Sequence, residues 1–197
     1  MPLLVGLSSP AGSLGALEQP HLDVDDRIVL RPWRESDAET VMKAFDCPDI
    51  QRWHVRRMDS REEAVGWIEG WATRWRDESD ASWAISRDDE VLGQVGLRHL
   101  SLFEGSAALS YWVLPNARGA GIAARAAHAM TEWAFEVVAL HRLSLEHSTA
   151  NLASCRVAAR LGFEVEGTLR ASARHADGWH DMHQHARLRT RSIPSST

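Results

Sequence analysis

Apolar and polar positions alternate along this chain in two rhythms, and the switches between them lay out its elements. Alternation with a period of two predicts strands over Ile28–Trp33, Trp83–Arg87, Val91–His99, Ala108–Leu114 and Arg142–Ser148, with two more over 163–170 and 180–189. The Trp83 and Val91 strands flank Asp88-Asp89, which predicts a hairpin. Ser36 or Asp37 opens a helix running toward Phe45, and Pro48 is expected to end it. Ser60 with Glu63 makes a capping box for a helix over 61–77. Ile122, Ala126, Met130, Trp133 and Val137 mark one face of a further helix, and 152–161 reads as the last. Interleaved strands and helices of this kind predict a mixed α/β domain around one central sheet.

Residues 1–26, with Ser8-Ser9-Pro10 and scattered glycines, read as an N-terminal extension that is mobile unless it docks. Residues 27–190 form the expected domain, and 191–197 read as a disordered tail, polar from Ile193. At 197 residues the chain suits one well-buried core. It holds no run of membrane-spanning length, and its apolar start lacks the basic segment of a secretory signal. Cys47 and Cys155 are far apart and need not pair, so a cytoplasmic protein is expected. The net charge of −5 is spread along the chain, which argues against nucleic acid as main partner and favours a cationic acceptor. Lys43 is the only lysine, which leaves self-acylation almost no target.

The chemistry concentrates where the Ala108–Leu114 strand gives way to Pro115-Asn116-Ala117-Arg118-Gly119-Ala120-Gly121-Ile122-Ala123. Glycines at the start of a helix let phosphate oxygens approach unpaired backbone N–H groups and the positive dipole end. Gly119-Ala120-Gly121-Ile122-Ala123-Ala124 satisfies the dinucleotide pattern G-x-G-x-x-G/A, with Glu146 about where a ribose needs an acid. A structural turn is the plainest alternative. Arg118-x-x-Gly121-x-Ala123, however, resembles the coenzyme A pyrophosphate signature of GNAT acyltransferases. Asn151-Leu152-Ala153-Ser154 followed by Arg160-Leu161-Gly162-Phe163-Glu164-Val165-Glu166-Gly167 resembles the N-x-x-S … LGF-x-x-EG block of that family's RimJ/RimL-type branch. Leu30-Arg31-Pro32-Trp33 and Gly178-Trp179-His180-Asp181 resemble its first and closing strands, so the likeness spans about 27–190.

The resemblance implies a GNAT-like fold: a mostly antiparallel seven-stranded sheet, flanked by about four helices. Its fourth strand carries a bulge and splays from the fifth. The pantetheine arm would lie along the backbone of Val113 and Leu114, and the amides of Arg118, Gly119, Ala120, Gly121, Ile122 and Ala123 would hold the pyrophosphate. It implies acetyl-CoA as cosubstrate and direct attack by a primary amine, either a peptide N-terminus or a small molecule. Asn151 would position pantetheine and a water, and Ser154 would assist the departing thiolate; both also read as ordinary helix-start residues. The lone tyrosine, Tyr111, sits on the strand before the turn and is a poor substitute for the acid that many relatives carry. Ala108 and Ala173 stand where relatives keep a glutamate base, so His147 becomes the candidate base, ahead of Glu104, His175 and Asp181. A dinucleotide oxidoreductase and a non-catalytic acyl-CoA-binding module are the competing readings.

Two further patterns have plain explanations. Trp67, Trp71 and Trp75 lie along one helical stripe and suit helix packing, a homodimer contact or an acceptor wall. Asp181-x-His183-x-His185 sets three possible ligands on one strand face, yet neither cysteine has ligand-like spacing to it, so no metal is expected.

Overall fold

The computed structural model describes residues 4–7 and 10–189. One eight-stranded sheet runs through it in the order β1-β2-β3-β4-β5-β6-β8-β7. The strands are β1 (Leu22–Asp23), β2 (Val29–Arg31), β3 (Ala81–Arg87), β4 (Glu90–Ser101), β5 (Ser106–Val113), β6 (Arg142–Ser148), β7 (Glu164–His175) and β8 (Gly178–Leu188). The helices are α1 (Ala38–Asp46), α2 (Pro48–His54), α3 (Arg61–Arg76), α4 (Ile122–Glu136) and α5 (Leu152–Arg160). This is the mixed α/β, mostly antiparallel architecture that the resemblance implies, with one more strand and one more helix.

Local chemistry explains most boundaries. Asp88 and Asp89 both take positive φ (49° and 64°), the conformation a two-residue hairpin needs to match strand twist. Ser60 accepts the Glu63 N–H at 3.2 Å and starts α3. Pro48 does end α1, but it also occupies the first turn of α2, where its missing N–H costs nothing. Helix α4 stops at Glu136, so Val137 turns out to solvent at 68% exposure and Val138 takes the core position.

The tryptophan stripe is consumed within the chain. Trp67 meets Trp33 edge-on at 5.0 Å, while Trp75 meets Trp83 at 5.7 Å and stacks on Trp133 at 6.2 Å. Residues 10–26 lie along this face. The Glu78 carboxylate accepts N–H groups from Gly12, Leu14 and Gly15, and the Trp75 and Trp83 indoles donate to the carbonyls of Leu17 and Pro20. Leu22–Asp23 then pairs with β2, adding the eighth strand. The tail beyond residue 189 and Ser8-Ser9 lie outside the described residues.

Two departures from regular sheet position the site. β5 and β6 run parallel and pair only over Ser106–Ala108 against Arg142–Ser144, after which they separate. The bulge beside this region falls on β4 rather than on β5, where His99 takes φ 51°. The β7–β8 hairpin runs longer than its alternation predicts because the ladder slips between Leu169 and Ala173. The Asp181 carboxylate secures that slip by accepting the Ala171 N–H at 2.7 Å.

Candidate active site

Beyond Ala108 and Ser144 the parted strands open a cavity of about 550 Å³, walled by α2, the second half of β5, the end of β6, the first turn of α5, His175 and Met182. On the β5 side, the Leu114 N–H donates to the Leu92 carbonyl at 2.9 Å. Antiparallel pairs alternate, so the peptide groups of Val113, Tyr111 and Leu109 face away from β4, into the gap. Two contacts agree with this: the Val113 carbonyl accepts from Arg118 Nε at 3.1 Å, and the Tyr111 carbonyl faces His54.

At the outer lip the chain makes its glycine turn. Gly119 and Gly121 take φ 84° and 71°, and the Arg125 N–H is the first to close onto the helix, at the Gly121 carbonyl. The N–H groups of Ile122, Ala123 and Ala124 precede that bond and have no intrahelical acceptor. Gly119 and Ala120 are exposed; Val113 and Ala123 line the cavity; Leu114 packs toward Trp112 and Ile50; the Ile122 side chain is buried in the core. Arg118 braces the turn, since Nη1 meets the Asp49 carboxylate at 2.7 Å. Its guanidinium thus ties the end of β5 to α2.

On the opposite wall Asn151 caps α5, accepting the Ser154 N–H at 3.1 Å. That bond fixes the turn that presents Ser154 to the cavity. Facing it is Tyr111, whose buried hydroxyl makes no hydrogen bond of good geometry. Burial pushes this phenol up to about 12, opposed by the nearby Ser154 hydroxyl. The sequence set Tyr111 aside because it sits on the strand before the glycine turn; the splay brings it to Ser154. His54, also unmarked in the sequence, stands beside them. Burial drives its imidazole down to about 4, against the Tyr111 carbonyl that favours protonation.

His147, the expected base, has both ring nitrogens engaged. Nδ1 lies 2.8 Å from the Ser148 carbonyl, Nε2 lies 3.1 Å from His185 Nε2, and burial lowers its pKa. The neighbouring Ser148 instead leads outward: its hydroxyl meets His180 Nδ1 at 2.7 Å, and His180 Nε2 meets the Asp177 carboxylate at 2.8 Å. Ser148 lines the cavity, so this hydroxyl–imidazole–carboxylate chain connects it to the surface. The remaining candidates stand apart from such a role. Glu104 lies in the β4–β5 turn, outside the cavity; His175 is turned to the Arg52 carbonyl at 2.9 Å; Asp181 holds the β7 slip.

Comparison with known proteins agrees with this geometry. The family model for the acetyltransferase (GNAT) domain matches residues 27–164. An uncharacterized N-acetyltransferase of Bacillus subtilis, YoaA, is 28% identical over 148 residues, covering 74% of this chain and 84% of that protein. Among solved structures, ribosomal-protein-S5-alanine acetyltransferase from Vibrio fischeri superposes with a TM-score of 0.80 at 19% identity, covering 89% of this chain and all of that one. Mycobacterium smegmatis RimJ in complex with CoA-disulfide superposes with a TM-score of 0.75 at 25% identity, covering 86% and 85%.

Proposed function

The chain belongs to the GNAT acetyltransferase family, and from that premise we propose that it moves an acetyl group from acetyl-CoA to a primary amine by direct attack in a ternary complex. Membership in the family displaces the dinucleotide reading of the same glycine turn. The observation that carries the proposal is the parting of β5 from β6, with inward peptide groups on one side and Ser154 facing Tyr111 within it. Pantetheine lies along Val113, while the Leu114 peptide groups are turned instead to Leu92 and Ala117; the pyrophosphate meets the amides from Gly119 through Ala123, since the Arg118 N–H is spent on the Pro115 carbonyl. RimJ, a structural neighbour, is in complex with CoA-disulfide, which supports the same cosubstrate class here.

The acceptor nitrogen attacks the thioester carbonyl, the carbon–sulfur bond breaks, and an amide and a thiol result. The departing sulfur takes a proton from Ser154 or Tyr111, which regains one from the attacking nitrogen as the amide forms. The ammonium proton of the acceptor leaves through Ser148 to His180, which Asp177 orients. Exposed Glu146 at the cavity wall suits a cationic acceptor, a peptide N-terminus or a small amine.

Thiol release from acetyl-CoA against an amine panel tests the assignment. Ser154→Ala and Tyr111→Phe lower kcat at least about tenfold while the KM for acetyl-CoA stays within about twofold, the pattern of an interaction made mainly in the transition state. A double variant with full kcat, chemistry being rate-limiting, would remove both residues from the mechanism.

A further inference from the structure

Behind the cavity, three histidines and a cysteine converge without any part in the acetyl-transfer steps above. The β6–β8 register sets His147 opposite His183, and His185 lies two residues further along the same strand. All three imidazoles therefore project from one face of the pair. Helix α5 lies over that face and delivers Cys155. One donor atom from each of the four residues falls within 4.8 Å of every other. His147 Nε2 and His185 Nε2 are 3.1 Å apart, and Cys155 Sγ and His183 Nδ1 are 4.0 Å apart. Tetrahedral coordination with metal–nitrogen bonds of about 2.0–2.1 Å and a metal–sulfur bond of about 2.3 Å places ligand atoms about 3.3–3.6 Å from one another. The cluster brackets that spacing.

The tautomers make the stronger argument. His147 Nδ1 points at the Ser148 carbonyl at 2.8 Å, and His185 Nδ1 at the Phe163 carbonyl at 3.2 Å. A carbonyl only accepts, so each Nδ1 carries the hydrogen and each neutral ring presents a bare lone pair at Nε2. Two lone pairs aimed at each other across 3.1 Å repel. Both rings are almost fully buried, at 5% and 2% exposed. A cation between them satisfies both, and a ligand imidazole held by a backbone carbonyl through its other nitrogen is the usual outer support of a metal site.

We propose that His147, His183, His185 and Cys155 bind one zinc(II) ion. Three imidazoles and a thiolate match its preference for nitrogen and sulfur donors in a closed tetrahedral site. Cys155 binds as the thiolate and the three imidazoles as neutral rings. The ion joins the first turn of α5, which carries Ser154, to the β6–β8 pair, and so fixes one wall of the cavity.

The test uses the full, reduced chain stripped with a chelator and then titrated with zinc(II) against a chromophoric competitor. Cobalt(II) serves as the spectroscopic substitute. One equivalent binds, and the cobalt form shows tetrahedral visible bands with a thiolate-to-metal band in the near ultraviolet. Cys155→Ser abolishes the thiolate band. Both Cys155→Ser and His185→Gln weaken zinc(II) at least about tenfold, with folding checked by circular dichroism and by the thermal shift with acetyl-CoA. Failure to compete for one equivalent, or equal zinc(II) affinity in wild type and both folded variants, overturns the proposal. The readout is metal binding itself, so an absence of acetyl transfer to any amine would leave this result standing.

Discussion

Replacing Gly121 with valine probes the glycine turn with a magnitude that the backbone sets. Gly121 sits at φ 71° and directly precedes α4. A side chain in this left-handed region costs about 1–2 kcal/mol. Nothing else resists the substitution locally, because an added Cβ would meet only Arg160 Nη1, the end of a flexible side chain, at 3.6 Å. The fold therefore survives with a melting temperature lowered by about 2–8 °C. Binding suffers more, since the branched side chain stands beside the N–H groups that would meet the pyrophosphate. Acetyl-CoA affinity falls at least about tenfold, or about 1.4 kcal/mol, by titration calorimetry. Gly162 supplies a matched control: it has the same φ of 71°, open space around it, and a place after the far end of α5. Gly162→Val loses a similar amount of stability and keeps acetyl-CoA affinity within about twofold. A folded Gly121→Val protein with wild-type affinity would refute the phosphate cradle, and equal losses in both variants would assign the effect to backbone strain alone.

Asp37→Ala strands the buried Arg31 guanidinium, which it now holds by two bonds of 2.8 Å, and costs about 3–5 kcal/mol in urea denaturation; a loss below about 1 kcal/mol would show that the pair is dispensable. His54 gives a pH signature. Its folded pKa of about 4 lies below its ordinary 6.5, so the unfolded chain binds the extra proton between those values and stability falls as pH drops through that window. Above it the ring is neutral in both states and adds no slope. His54→Gln therefore narrows the difference in urea midpoint between pH 7.5 and pH 5, and an undiminished difference would contradict the burial argument.

The parts that sequence made legible are those set by local pattern. Alternation located seven of the eight strands, and the Asp88-Asp89 turn and the Ser60 cap needed no partner to be read. Pro48 was half legible, because a residue that terminates one helix is equally suited to open the next. The β1 strand escaped because two residues carry no period; pairing with β2 creates it. Tyr111 and Ser154 meet only through the parting of β5 and β6, and nothing within either segment signals that geometry. The histidines show the same limit. His183 and His185 were visible as a same-face pair, but His147 joins them through strand register and Cys155 through helix packing, so sequence spacing was the wrong ruler.

The docked N-terminal segment has a consequence for where this protein begins in practice. The family likeness starts at residue 27, whereas Leu14 is buried in the main core and Gly12, Leu14 and Gly15 supply the N–H groups around Glu78. Cutting at the family boundary would leave that carboxylate without donors and two indole N–H groups without their acceptors, and would remove the edge strand that covers β2. The stretch matched by the family model and the folding unit thus begin at different residues. A chain shortened at residue 27 would lack contacts on which the main core and the sheet edge both rest.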